Sequence, residues 1–340
     1  TDLVIGGAGF LGSTLVRALV SEGRSVVAMD IREPKDKVAG VRYEVADLRD
    51  VEAMKALLSG VTTVYHTASL TETNGPSRLF HDINVVGTQN VVAAAVANDS
   101  VKALVYTSSA SVVFDGHDIH KGDESLAIPP NHLDAYSASK AEAEAVVLAA
   151  DGAAAGRLRT AAIRPHTIFG PGDVHVFPRI FANAASGKMK YILGSGTVLH
   201  DYTYVDNCVD GHILAARGLA NNPNVVGGQA YFITNDEPRN FWETTYWLVN
   251  EMGYDASPKF RIPAAVARFI ALMFTFIAWI VSPCFAFKPL LTSYVVANVT
   301  TSHYFSVDKA RKELGYEPKV KLDEAFATTL RWFRDNGYGQ

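Results

Sequence analysis

Hydrophobic and polar positions in the first half of the chain alternate between short apolar runs and longer stretches of helical pattern. The runs at 3–5, 25–29, 43–46, 61–66, 101–107 and 160–164 have strand length and strand composition. Between them, 13–21, 50–58, 79–98 and 135–150 read as helices. Strand and helix alternating at this length predict an α/β fold, a Rossmann-type doubly wound parallel sheet. That sheet is expected over residues 1–165, with segments near 201–220 returning to it. Residues 166–340 are expected to form mainly a smaller, discontinuous C-terminal substrate domain. Ligands bind such sheets at the carboxyl ends of the strands, where Thr67-Ala68-Ser69 and Thr107-Ser108-Ser109 fall.

The first strand runs into Gly6-Gly7-Ala8-Gly9-Phe10-Leu11-Gly12, a variant of the dinucleotide fingerprint. Glycines at 6, 9 and 12 allow a tight turn, a close backbone approach to a pyrophosphate and close helix–strand packing. Free N–H groups at the helix start then favour phosphate. The second strand ends at Asp30, 18 residues past Gly12, where an acid can bond the adenosine ribose. A carboxylate there repels a 2′-phosphate, so NAD is expected over NADP, although Arg32 stands close by.

Ala135-Tyr136-Ser137-Ala138-Ser139-Lys140 opens the helix at 135–150. Residues four apart share a helix face, so Tyr136 and Lys140 point together. A phenol near pKa ~10 needs a nearby ammonium to act as an acid/base at neutral pH.

In chain order these features are the glycine turn, Asp47-Leu48, His66-Thr67-Ala68-Ser69, the run Asn84 to Asn90, and Thr107-Ser108-Ser109-Ala110-Ser111-Val112. Tyr136-x-x-x-Lys140 and the run Arg164 to Pro171 complete the set. With them the chain resembles an extended short-chain dehydrogenase/reductase. The resemblance implies that Tyr136 is the acid/base, and that Lys140 lowers its pKa and holds the nicotinamide ribose. It implies that Ser109 bonds the reacting oxygen, with Ser108 and Ser111 as alternatives. Cofactor contacts are implied for Gly6, Gly9, Phe10, Leu11, Gly12, Asp30, Asp47, Leu48, Thr67, Ala68, Thr107, Pro165 and Ile168. Asp47 and Leu48 would meet the adenine, and Pro165 and Ile168 would border the nicotinamide. Asn84 is expected to be structural, through backbone hydrogen bonds to a neighbouring strand.

The second half narrows this. Members acting on nucleotide sugars carry an arginine that grips the diphosphate, where this chain has His200 in Gly194-Ser195-Gly196-Thr197-Val198-Leu199-His200-Asp201-Tyr202. A largely neutral histidine is a poor diphosphate clamp. Residues 269–287 hold no charge, but Ser282-Pro283 interrupts them, so a shallow membrane-surface contact is expected rather than a span. Gly187-Lys188-Met189-Lys190, Gly211 to Ala216 and Phe232 to Pro238 resemble the 3β-hydroxysteroid dehydrogenase group. Beyond that run, Tyr304 to Tyr316 resembles the segment with which the family closes its fold, packed back on the catalytic unit. This resemblance implies NAD-dependent oxidation of the 3β-hydroxyl of a 4α-carboxysterol with decarboxylation, as in sterol biosynthesis. Arg179, Lys188, Lys190 and His166 are candidate partners for the carboxylate. It also implies the cytosolic face of the endoplasmic reticulum membrane or lipid droplets, and a homodimer is an open expectation. The alternatives are a 3β-hydroxysteroid dehydrogenase/Δ5-isomerase acting on steroids without the carboxylate, and a non-catalytic dinucleotide-binding module.

Composition adds limits. A net charge of −4 gives no electrostatic footprint for nucleic acid. Charged residues make up 19%, below the usual ~25%, and mean hydropathy is +0.08, which agrees with an apolar surface. Cys208 and Cys284 form neither a disulfide framework nor zinc spacing, and the histidines show no ligand spacing, so no metal is expected. The sequence starts at Thr1 without a methionine, so any targeting segment upstream is out of view.

Overall fold

All four residues of β1, Asp2–Ile5, are buried, because the strand lies inside the sheet and is covered on both faces. Neighbouring side chains on such a strand point to opposite layers. Val4 joins the core under one helical layer, and Leu3 and Ile5 join the core under the other. The computed structural model describes residues 1–71, 76–258, 260–281 and 291–339. Beside β1 lie β2 (Val26–Asp30) and β3 (Arg42–Val45) on one side, and β4 (Thr63–His66) and β5 (Ala103–Thr107) on the other. The strands Arg159–Pro165 and Gln229–Ile233 extend the sheet beyond β5, making seven parallel strands. Strand order reverses between β1 and β4, the switch point at which doubly wound sheets bind ligands.

The elements follow the sequence pattern with two informative departures. Helix α1 spans Phe10–Ser21, starting three residues before the predicted Ser13, because Gly9 is the extended N-cap and Gly12 is taken into the first turns. In place of one helix over 79–98, the chain forms Ser77–Phe80, His81–Val86 and Gly87–Ala97 in succession, with the middle piece wound as a π-helix. Wide turns of this kind are common at functional sites. This one carries Asn84, whose role is described below.

The helix Val205–Asn221 packs across α1, β5 and the strand Arg159–Pro165. Smaller pairings build the remainder. His303–Phe305 lies between Ile119–Gly122 and Leu199–His200, and Ile168–Phe169 pairs with Thr203–Tyr204. The Tyr316 hydroxyl donates to Thr234 O at 2.8 Å, tying the closing segment to the end of the strand Gln229–Ile233.

Ala264–Val281 forms one helix, the described part of the apolar run. Its small residues Ala267 and Ala271 are buried beside Val296 of the helix Ser293–Thr300. Its large residues face outward, with Phe269 64%, Leu272 61%, Phe276 56% and Ile280 54% exposed. Among the described residues no helix is long and apolar enough to cross a membrane. Ser282-Pro283, Cys284 and the rest of the run to Phe287 lie outside the described residues.

Candidate active site

The glycine turn is built so that side chains cannot enter it. Gly6 has φ +90°, and a Cβ there would lie 2.6 Å from Ala68 N. A Cβ on Gly12 would lie 2.0 Å from Gly6 O, so the first turn of α1 rests directly on the end of β1. Thr67 completes the seat, because its Oγ1 donates to Ile5 O at 2.9 Å. No side chain caps α1 and no acid lies in its first turn, so its leading N–H groups remain available to phosphate oxygens. Asp30 stands at the carboxyl end of β2, and one oxygen of its carboxylate accepts from Ala8 N–H at 3.1 Å. Ala8, Asp30, Arg32 and Tyr43 line a single depression beside the turn.

Asp47 and Leu48 follow β3. The Asp47 carboxylate turns to Arg49, 2.6 Å away, which holds it below the usual carboxylate range. The Leu48 side chain fills the space over Gly87, where a Cβ would lie 1.5 Å from its Cδ1. Gly87 is thus the glycine that lets Leu48 reach the helix Gly87–Ala97.

Asp134 caps the helix Ala135–Ala149 by accepting from Ser137 N–H at 2.6 Å. The helix buries Ser137, Lys140, Ala141, Glu144 and Val147 on one face, a polar stripe in which each long polar side chain has a partner. Glu144 forms a bidentate ion pair with Arg164, at 2.6 and 2.9 Å, which fastens the helix to the strand Arg159–Pro165. Asn84 fastens it to the opposite side. Its Nδ2 donates to Ser139 Oγ at 2.9 Å, and its Oδ1 accepts from Leu70 N–H at 2.8 Å. The expectation for Asn84 is corrected in kind, since its side chain makes the bonds, bridging the segment after β4 to the Tyr136 helix.

Ser109 lies near half-buried Tyr136, and its hydroxyl acts to lower the phenol. Ser111 Oγ donates to Ser109 Oγ at 2.9 Å. Ser108 Oγ is buried without a partner. Lys140 does not aim at the phenol. Its Nζ donates to Thr107 O at 2.5 Å and lies 4.2 Å from the centre of the Tyr106 ring. Burial pushes the Lys140 ammonium down to about 7. Burial pushes the Tyr136 phenol up to about 12, against the lowering effect of Ser109. The expected depression by Lys140 is therefore absent from this arrangement, because its ammonium is turned to Thr107 O and the Tyr106 ring while desolvation dominates at the phenol. Thr107, expected at the cofactor, spends its carbonyl on Lys140 and its hydroxyl on His212, 2.7 Å away.

Pro165 ends its strand two residues past Ile163, the partner of Thr107. Ile168, half-buried, pairs with Thr203. His166 between them is not a free cation. Its Nδ1 lies 2.7 Å from Asp201 O and its Nε2 lies 2.8 Å from His303 Nδ1. Burial, with His303 beside it, pushes it down to about 3, which counts against it as carboxylate partner. His200 is buried against His303, ring centres 3.9 Å apart, and its Nε2 lies 3.2 Å from Thr301 O. Lys188 and Lys190 lie on an exposed turn. Arg179, on the helix Val176–Ala185, acts on the phenol of Tyr294, which also senses Tyr136. Tyr294 packs edge-on against Phe114, 6.3 Å between ring centres.

Sequence reading missed Glu144, Ser139 and His212 as supports of this site. The signal for Glu144 was its spacing, since it stands four residues after Lys140 on the same helix face.

Residues 3–264 match the 3-beta hydroxysteroid dehydrogenase/isomerase family. Over 330 residues the chain is 40% identical to a Mus musculus protein named sterol-4-alpha-carboxylate 3-dehydrogenase, decarboxylating, covering 97% of this chain and 90% of that one. It is 37% identical to the Danio rerio short-chain dehydrogenase/reductase family 42E member 1, covering 99% and 89%. Among solved structures, MoeE5 in complex with UDP-glucuronic acid and NAD superposes with a TM-score of 0.75 at 25% identity, covering 98% of this chain and 99% of that one. The Streptomyces venezuelae dTDP-glucose 4,6-dehydratase DesIV, with NAD bound, gives a TM-score of 0.75 at 24% identity, covering 98% and 97%, and shares the fold.

Proposed function

The chain belongs to the 3-beta hydroxysteroid dehydrogenase/isomerase family, and from that premise we propose that it is an NAD-dependent sterol 3-dehydrogenase that decarboxylates its product. The observation that carries this reading is the grouping of Ser109, whose hydroxyl acts on the Tyr136 phenol, with Tyr136 and buried Lys140 on one helix, in a chain 40% identical to a decarboxylating sterol dehydrogenase. The glycine turn, the uncapped start of α1 and Asp30 fit a dinucleotide: the turn would hold its pyrophosphate, Asp30 its adenosine ribose and Lys140 its nicotinamide ribose. NAD, when bound, accepts the hydride from carbon 3.

Tyr136, as phenolate, takes the proton of the 3β-hydroxyl while Ser109 orients the oxygen. A phenol at about 12 ionises rarely at neutral pH, so the site needs positive charge near it at the moment of reaction, a role we assign to Lys140 once the cofactor is bound. Oxidation makes a ketone beta to the 4α-carboxylate. The C4–carboxyl bond then breaks, carbon dioxide leaves, and its electron pair becomes an enolate. Tyr136, now carrying the proton, and Ser109 then hydrogen-bond the enolate oxygen on this reading. With His166 engaged elsewhere, Arg179 is our choice for the cation that holds the carboxylate.

We further propose that the outward face of the helix Ala264–Val281 rests on a membrane surface, the cytosolic face of the endoplasmic reticulum on this reading. Its partner helix Ser293–Thr300 carries Tyr294 and so leads from that surface to Phe114 and the site. The function is tested by comparing NADH formation from a 4α-carboxysterol with that from the same sterol lacking the carboxylate. Turnover of the carboxysterol supports the reading. Turnover confined to the plain 3β-hydroxysteroid overturns it in favour of the dehydrogenase/isomerase alternative.

A further inference from the structure

Lys140 owes its place to a backbone carbonyl, and that carbonyl has its own support. Neighbouring residues of β5 face opposite layers of the molecule. Tyr106 turns its ring toward Lys140, and Thr107 turns its side chain toward the helix Val205–Asn221. There Thr107 Oγ1 lies 2.7 Å from His212 Nε2, and His212 Nδ1 lies 2.8 Å from Cys208 O. A carbonyl can only accept, so Nδ1 carries the ring proton and Nε2 is left to accept from the Thr107 hydroxyl. The tautomer is fixed by these two contacts. None of the members can turn to water instead, because Thr107 is 8%, Lys140 2% and His212 0% exposed. Burial and the nearby Lys140 charge favour the neutral ring, pushed down to about 4.

We propose that His212 is a positioning residue: as a neutral acceptor it anchors the Thr107 side chain, and with it the backbone at the end of β5 whose carbonyl receives Lys140, and thereby sets where the ammonium meets a nicotinamide ribose. It works from the far face of the sheet and touches no reacting atom. The inference rests on the NAD-dependent reading above.

The test is NADH binding to the full chain, followed by nucleotide fluorescence, with thermal melting as the control for folding. His212→Leu and Thr107→Val are each expected to weaken binding about 10-fold, the scale of one hydrogen bond to a charged group. The double variant should be no weaker than either single one, because both cut the same link. His212→Gln places an amide oxygen near the Nε2 position and restores affinity. His212→Asn reaches only the Nδ1 position and does not. Affinity unchanged in Thr107→Val, or equal affinity of the Gln and Asn variants, overturns the proposal. If His212→Leu does not fold, Thr107→Val reads the same link with the ring intact. NADH binding needs no sterol, so the two readings fail separately. This pattern without carboxysterol turnover rejects the substrate reading alone, and turnover without this pattern rejects the His212 role alone.

Discussion

Ser109 acts to lower the Tyr136 phenol and so favours its ionised form, the form that oxidation of an alcohol requires. Removing the donor raises the phenol further. In Ser109→Ala the acid limb of the pH–rate profile for oxidation should therefore move to higher pH, by about one to two units for a bond to a charged group. An unmoved limb would take Ser109 out of contact with the phenolate. Lys140 gives a second, opposite reading. Its folded pKa of about 7 lies below the ordinary lysine value of 10.5, so the burial penalty is fully present below 7 and is lifted as pH rises to 10.5. Cofactor-free Lys140→Met should melt higher than the unmodified protein at pH 6, with the gap closing between pH 7 and 10. A gap independent of pH would mean that the ammonium is not desolvated. This is the usual conflict between stability and a functional charge.

At the scale of elements, the Tyr136 helix is held from two sides, by Glu144 on Arg164 and by Asn84 on Ser139. Glu144→Ala leaves the Arg164 guanidinium buried and unpaired, a loss of about 3–5 kcal/mol that denaturant unfolding would read directly. A loss under about 1 kcal/mol would show that the pair does not fasten the helix. These supports explain which parts of the site were legible in the letters. The glycine turn, Tyr136 and Lys140 depend on local spacing, and local spacing is what a sequence displays. Thr107 and His212 are 105 positions apart and meet only because β5 and the helix Val205–Asn221 are packed together. The π-helical turn at His81–Val86 was equally hidden, since it answers to the bonds Asn84 makes at Leu70 and Ser139 rather than to its own composition. The parallel sheet was legible for the converse reason: apolar runs alternating with helices imply crossovers between parallel strands.

At the scale of the molecule, the sheet supplies a dinucleotide platform and the helix Ala264–Val281 presents large apolar side chains to the outside, a surface a sterol-handling protein can rest on a membrane. Replacing Phe269, Leu272 and Phe276 together with serine should weaken co-sedimentation with liposomes at least about 10-fold, since each such side chain is worth about 1.5–3 kcal/mol on burial. Unchanged binding would reject the membrane contact and leave that face to a second copy of the chain. Loss of hydride from carbon 3 and loss of carbon dioxide from carbon 4 are coupled on this mechanism, and one measurement reads both. The chain is supplied with NAD and a 4α-carboxysterol carrying deuterium at carbon 3 and a labelled carboxyl carbon. Deuterated NADH and labelled carbon dioxide should form in equal amounts, both lowered in Tyr136→Phe by roughly 10²–10⁴-fold. Carbon dioxide without NADH, or NADH with the carboxyl label retained, would contradict this mechanism.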